Sequence, residues 1–189
     1  MKYVLIVSKS EKTIVSLHDL LQQEGYCQCM FAHNTEQAKE HISNNEFDLI
    51  VISTPIEDGA GLDLSVYMID HTRAGVFLLT GEDTLERVGE KLQQRGVFTL
   101  AKPVSRVLFH QSIRVWQATK NRIDGLEREN EKLKLQVEEI KIIHRAKCTL
   151  MQCLAMSEPQ AHRYLEKQAM DMRQSKRKVA EQVLNTYEA

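Results

Sequence analysis

Two apolar runs decide the fold: Leu49-Ile50-Val51-Ile52 and Val76-Phe77-Leu78-Leu79. Both runs are continuous rather than alternating, which is typical of parallel strands that are buried on both faces. Three more β-rich runs lie at residues 3–7, 27–31 and 97–101. Amphipathic helical stretches separate the runs, so the pattern predicts five β–α units. We therefore expect an α/β domain over residues 1–110, with a flavodoxin-like, five-stranded parallel sheet between two layers of helices.

The composition excludes several classes of protein. Of the 189 residues, 42% are hydrophobic, which is enough for one full core and a smaller appendage. No apolar run approaches the roughly 20 residues needed to cross a bilayer, and no signal-peptide cleavage region follows the start. Four cysteines in a chain of this length do not make a disulfide scaffold. We expect a soluble, cytoplasmic protein without a membrane partner.

The sequence carries no catalytic motif. Phosphate-binding loops, nucleophile elbows and the ligand spacings of known metal sites are absent from it. We therefore predict that the protein is not an enzyme and that it needs neither a cofactor nor a metal ion.

The middle of the chain reads as a coiled coil. Residues 112–147 contain no proline and a single glycine, which favours one long helix. A seam with alternating spacings of three and four runs along it through Trp116, Thr119, Ile123, Leu126, Asn130, Leu133, Val137 and Ile140. Asparagine at the a position held by Asn130 favours a two-stranded parallel pair. We predict a parallel homodimer through residues 111–144; the alternative is a helix that packs on its own α/β domain.

The C-terminal segment predicts a small basic helical bundle over residues 145–189. Ser157 and Gln160 form a capping box with Pro159 in the first turn, so a helix begins there. A break near residues 173–175 precedes a last helix. Residues 141–178 hold nine Lys or Arg and three Asp or Glu, a net charge of +6 in a chain whose total is −1. This asymmetry indicates a polyanionic partner.

The predicted strands of the α/β domain end in a recognisable set of residues. Ser8-Lys9 follows the first strand, Ser53 ends the third, Thr80 ends the fourth, and Lys102-Pro103 follows the fifth. With its five β–α units, this domain resembles a response-regulator receiver. The resemblance implies an acidic pair that binds Mg²⁺ at the position of Ser8-Lys9 and a phosphoacceptor Asp at the position of Ser53. It also implies a Thr and a Lys, which are present as Thr80 and Lys102.

The carboxylates that the receiver resemblance requires are replaced here. Hydroxyls stand at Ser8 and Ser53, and Lys9 puts a cation where the metal ion would bind. We therefore predict a pseudo-receiver, with the fold kept and phosphotransfer lost. Lys102 is expected to serve as a structural partner in this degenerate pocket, or else to be an ordinary solvated lysine.

Further motifs lie in the basic segment: Ala146-Lys147-Cys148-Thr149-Leu150-Met151, Ser157-Glu158-Pro159-Gln160-Ala161, Tyr164-Leu165, Ala169-Met170 and Val179-Ala180. Over about 45 residues these motifs resemble the ANTAR domain, which is named for the AmiR and NasR transcription antitermination regulators. Two positions depart from the family pattern, because Cys148 stands where the family has Gly and Glu166 stands where it has Arg.

The ANTAR resemblance implies an RNA-binding antitermination regulator. A dimer would bind paired stem-loops in nascent mRNA leaders and so prevent the terminator from forming. The RNA contacts expected are Lys147, Arg173 and Tyr164, the small residues Ala146 and Ala169 that permit close approach, and the secondary phosphate contacts Arg145, Arg163, Lys167, Lys176 and Arg177. Tyr164 could instead belong to the core, and Lys147 could be a solvated helix lysine. The resemblance also suggests a ligand-sensing protein partner in place of phosphorylation.

Two other functions fit parts of the same sequence. A DNA-binding response regulator would use the small basic bundle in a major groove, although no helix-turn-helix turn is visible. A signalling adaptor would act through the coiled coil and the pseudo-receiver alone, and Glu166 favours it because this residue puts an anion on the basic domain.

Overall fold

The structure is a computed structural model that describes residues 2–26, 28–59 and 61–187. The chain forms two compact units, Met1–Thr119 and Lys120–Ala189. The first is an α/β unit and the second is a helical unit. In the described part of the chain, no helix is both long and apolar enough to cross a membrane.

The α/β unit alternates strands and helices in the predicted order. The elements are β1 (Tyr3–Ser8), α1 (Glu11–Gln23), β2 (Gln28–Ala32), α2 (Thr35–Asn44), β3 (Leu49–Ser53), α3 (Leu62–His71), β4 (Gly75–Thr80), α4 (Glu82–Gln94) and β5 (Phe98–Ala101), after which α5 begins at Arg106. The strands are all parallel in the order β2-β1-β3-β4-β5. The predicted flavodoxin-like sheet is thus confirmed. Cys27, predicted to open β2, lies outside the described residues.

Both faces of the sheet are covered, which explains the continuous apolar runs. Along β3, Ile50 and Ile52 point into a cluster built with α2, α3 and α4, and Leu49 and Val51 point into a cluster with α1 and α5. All four side chains are fully buried. Because successive residues of a strand face opposite sides, only a strand that is covered twice needs apolar residues at every position.

The first turns of α5 belong to the core of the α/β unit. Phe109 and Ile113 are buried against β4 and β5, and the Trp116 ring meets Phe98 edge to face at 5.8 Å. Trp116 also covers Gly75, where a Cβ atom would lie 2.3 Å from the indole. The seam prediction therefore needs a correction at Trp116, because this residue packs on its own sheet and the exposed seam begins beyond it.

The helical unit contains three helical segments, as predicted. Helix α5 spans Arg106–Leu154 and so runs further at both ends than the sequence pattern indicated; α6 spans Glu158–Asp171 and α7 spans Lys176–Tyr187. The predicted capping box of Ser157 and Gln160 is present at the start of α6. The last turns of α5 share one apolar cluster with α6 and α7, which contains Ala146, Leu150, Ala161, Leu165, Ala169, Val179, Ala180 and Val183.

The contact between Gly75 and Trp116 can be tested by filling the space above the glycine. We expect Gly75→Ala to lower the free energy of unfolding of the α/β unit by about 1–3 kcal/mol, because the added methyl group overpacks the indole. Gly81→Ala is the control, since a Cβ there meets nothing within 4 Å. Denaturant unfolding followed by the fluorescence of the chain's single tryptophan measures both variants. Equal stabilities for the two variants would contradict the packing.

Candidate nucleic-acid interface and receiver pocket

Lys147, the first predicted RNA contact, is held by a carboxylate. Its Nζ donates to Oε1 of Glu158 at 2.7 Å, and its side chain is only 16% exposed. The hydrogen bond and charge of Lys147 lower the pKa of Glu158. Lys147 is therefore neither the solvated lysine of the alternative nor an unencumbered phosphate contact.

Two more of the predicted contacts are also paired. Lys176 Nζ donates to Glu166 Oε1 at 2.6 Å, and His162 Nε2 lies 3.3 Å from the same oxygen. Lys176 is the main reason that the pKa of Glu166 is lowered. Arg177 Nε donates to Glu181 Oε1 at 2.9 Å. Glu166 and Glu181 therefore form ion pairs with cations that could otherwise contact phosphates. Of these two carboxylates, the sequence pattern marks only Glu166 as unusual.

In residues 145–187, the part of the basic bundle that the structure describes, four cations are open, that is, without a side-chain partner. Arg163, Lys167, Arg173 and Lys178 are exposed, and within the described residues none of them forms a side-chain hydrogen bond or an ion pair. Lys178 was not among the predicted contacts, although it counted toward the basic charge of the segment. Arg145 is exposed but interacts within the chain.

Arg173 occupies an unusual backbone position. Its φ is +52°, a left-handed conformation that favours glycine. The amide of Arg173 donates to the carbonyl of Met170, and that of Gln174 donates to the carbonyl of Ala169, so a Schellman motif ends α6. Met170 and Met172 are 78% and 50% exposed. The turn therefore presents a cation flanked by two thioethers, which the sequence pattern did not predict.

Three predicted contacts point into the bundle. Ala146 is fully buried and Ala169 is 8% exposed, so both are corrected from RNA contacts to core residues. Their small side chains permit the close approach of helices to one another. Tyr164 is half-buried against the same cluster, in agreement with the core alternative.

The predicted seam is exposed in the single chain. Its large apolar members are Ile123 (46% exposed), Leu126 (58%), Leu133 (53%), Val137 (51%) and Ile140 (66%). Asn130 is exposed between them. Such a stripe lacks cover within the described residues and is typical of a helix that pairs with another.

The predicted receiver pocket lies where the parallel strands end. Ser8, Ser53 and Thr80 are at most 2% exposed, whereas Lys9 is exposed. Ser8 Oγ accepts from the amide of Ser10 at 3.2 Å, but Ser53 Oγ is buried with no hydrogen-bond partner among the described residues. The structure thus brings the hydroxyls together and leaves the one at the acceptor position unpaired.

Lys102 forms a hydrogen bond within this pocket. Its Nζ donates to the carbonyl of Thr54, whose own hydroxyl donates to Thr80 Oγ1 at 3.1 Å. Burial lowers the pKa of Lys102.

Carboxylates near the pocket are directed elsewhere. Asp58 accepts the amide of Thr35 at 2.9 Å, at the start of α2, and Glu57 accepts from Asn34 at 3.3 Å. In the described residues of the chain, no group of three or more His, Cys, Asp or Glu side chains is placed to hold a metal ion.

Comparison with known families matches both units. The response regulator receiver domain matches residues 4–114, more than half of the chain. The chain belongs to the response regulator receiver family. The ANTAR domain matches residues 131–184, which include α6 and most of α7. The α/β unit is therefore a receiver domain, and the helical unit contains an ANTAR domain.

Relatives and solved structures agree with this assignment. The transcriptional regulatory protein PdtaR of two Mycobacterium tuberculosis strains is 27% identical over 183 residues, covering 97% of this chain and 89% of the relative. A two-component response regulator from Clostridium difficile has a TM-score of 0.57 at 21% identity, covering 64% of this chain and 99% of that chain. The beryllofluoride-activated NtrC4 receiver domain has a TM-score of 0.54 at 27% identity, covering 61% and 96%.

The unpaired hydroxyl of Ser53 yields a stability test. We expect Ser53→Ala to leave the free energy of unfolding unchanged or to raise it by up to about 1 kcal/mol, because no hydrogen bond is lost. Ser8→Ala, at the neighbouring strand end, is expected to cost about 0.5–1.5 kcal/mol, because the Ser10 amide loses its acceptor. Thermal or denaturant unfolding compares the two. A larger loss for Ser53→Ala would show that its hydroxyl has a partner.

Proposed function

We propose that this protein is a dimeric, RNA-binding transcription antitermination regulator whose receiver works without phosphorylation. The observation that carries the proposal is the group of open cations Arg163, Lys167, Arg173 and Lys178, which lies within the matched ANTAR domain. Exposed Lys and Arg neutralise phosphates and release counterions, the main source of affinity for nucleic acids.

The proposed RNA partner is a leader transcript with paired stem-loops. Unstacked loop bases are open to side chains, whereas the deep groove of an RNA duplex is closed to them. The turn at Arg173 suits such a loop, because the guanidinium group can stack on a base or contact a phosphate, and the exposed Met170 offers apolar surface beside it.

Dimerisation would join two such sites. The exposed seam from Ile123 to Ile140 supports pairing with a second copy, and Asn130 at an a position favours a parallel pair. Two linked bundles bind two linked hairpins with a gain in avidity, because the second contact becomes intramolecular.

Phosphorylation-independent control rests on the receiver pocket. A hydroxyl at Ser53 cannot form an aspartyl phosphate, and an exposed Lys9 disfavours a divalent cation nearby. We propose that control comes from a protein partner, such as a ligand sensor that sequesters the dimer, or from the concentration of the chain.

Binding to RNA is tested by a salt titration on the full chain, with a paired-hairpin RNA and a DNA duplex as the two ligands. We expect selective RNA binding that weakens steeply with salt. Arg173→Gly should lower RNA affinity about three- to tenfold and reduce the slope of log K against log salt by about one. Lys132→Ala, on the exposed helix before the bundle, is the matched control and should change neither.

The Arg173→Gly variant is expected to stay folded, so that a loss of RNA affinity can be assigned to the missing guanidinium group. Glycine suits a left-handed residue, so the variant should match the parent or exceed it by up to about 1 kcal/mol. Sedimentation of the same samples reports whether the chain is a dimer. Preference for duplex DNA would favour the DNA-binding alternative, and a dimer that ignores both nucleic acids would favour the signalling adaptor.

The carboxylate of Glu166 should weaken RNA binding. It sits where the ANTAR resemblance has a cation, and it holds Lys176. We expect Glu166→Gln to raise RNA affinity roughly two- to fivefold at low salt, because one negative charge is lost and Lys176 is released. Glu138→Gln, whose carboxylate meets Lys141 before the bundle, is the control. Equal effects of the two changes would indicate a response to net charge alone.

A further inference from the structure

The seam does not end at Ile140. Continuing along α5, the same face carries His144, Cys148 and Met151, at spacings of four, four and three. An added spacing of four is a stutter, which locally unwinds a coiled coil and keeps such residues on one face. Ile140 and Met151 are 66% and 38% exposed, and His144 is exposed between them.

The bundle covers the other side of this part of α5. Ile142, Ala146 and Leu150 contact the apolar cluster of the helical unit. Each of these three residues is two positions along the chain from His144 or Cys148. Two positions correspond to a rotation of about 200° around a helix, so the two sets of side chains lie on opposite faces of α5. Lys147 is held by Glu158, so its ammonium group is paired with α6. The His144 and Cys148 face is thus the side that a second copy can reach.

The two side chains on this face bring metal-ligand atoms together. Nδ1 of His144 and Sγ of Cys148 lie 3.6 Å apart. Tetrahedral Zn²⁺, with bonds of about 2.3 Å to sulfur and about 2.0–2.1 Å to nitrogen, holds adjacent S and N ligands about 3.6 Å apart. One chain therefore presents half of a tetrahedral site already at the required separation.

We propose that two copies of this chain bind one Zn²⁺ ion through His144 and Cys148 of each copy. The inference rests on the parallel dimer of the proposed function, because the described residues of one chain supply only two ligands at this place. A Cys2His2 set suits zinc, which is borderline soft and accepts tetrahedral geometry. Each Cys148 thiol releases its proton to solvent as the zinc–sulfur bond forms.

The site would fasten the two copies of α5 where each enters its bundle. Cys148 stands where the ANTAR resemblance has Gly, so the ligand is a property of this chain and not of the family pattern. The sequence prediction of no metal was drawn from ligand spacings within one chain. A site shared between copies escapes that criterion.

Cobalt is the probe for the test, because Co²⁺ replaces Zn²⁺ and absorbs visible light when thiolate binds it. Metal-free, reduced full-length protein is titrated with Co²⁺. We expect saturation at one ion per two chains, with a thiolate-to-metal charge-transfer band that Zn²⁺ abolishes. Cys148→Ser and His144→Ala should each remove the band. Cys153→Ser, five residues further along α5 and exposed, is the matched control and should keep it.

Several results would overturn the site. These are saturation at one ion per chain, a band that survives Cys148→Ser, no uptake at all, or a reducible Cys148–Cys148 dimer that forms in place of metal binding. Circular dichroism of the variants shows whether the helices persist. Sedimentation and the RNA titration on the same samples separate the two proposals. A dimer that binds RNA but takes up no Co²⁺ refutes only the zinc site, and a chain that stays monomeric both with and without Co²⁺ refutes the dimer as well.

Discussion

The burial of the first turns of α5 against the sheet is the contact on which the rest of the chain depends. Phe109 and Ile113 are almost completely buried, and Trp116 closes over Gly75. Because α5 continues without interruption to Leu154, the helix that completes the receiver core also carries the exposed seam and one wall of the ANTAR bundle. Gly75 makes this possible, since any side chain there would displace the indole.

Several cations of the ANTAR domain form ion pairs with carboxylates of the same domain. Glu158, Glu166 and Glu181 each hold a cation at 2.9 Å or less. Exposed pairs of this kind add little to stability, but they determine which cations a phosphate could contact without first breaking an ion pair. The open cations cluster on α6, in the turn at Arg173 and at the start of α7. Of the nine Lys and Arg residues in the segment 141–178, only these four are without a partner among the described residues.

The sequence predicts local structure well and long-range contacts poorly. Continuous apolar runs identify the doubly covered strands, and Ser157 with Gln160 marks the start of α6, since both signals lie within a few residues of what they determine. Ser8, Ser53 and Thr80 end three neighbouring parallel strands, and the strand pattern of the sequence is enough to place them at one edge of the sheet. The ion pair of Lys147 is not visible in the sequence, because its partner Glu158 is 11 residues away across a turn. Trp116 satisfies the heptad spacing and also fits the receiver core, and only packing decides between them.

The hydrogen bonds of the receiver pocket bear on how the proposed function is controlled. Lys102 is tied to the Thr54 carbonyl, Thr54 to Thr80, and the carboxylates of Glu57 and Asp58 to the start of α2. Among the described residues, the pocket presents hydroxyls and a hydrogen-bonded lysine but no cluster of carboxylates, which supports the proposed control without phosphorylation. In the proposed dimer, pairing along the exposed seam would depend on the concentration of the chain and on anything that binds the paired or unpaired form. Control of dimerisation is therefore the physical route that fits the proposed function.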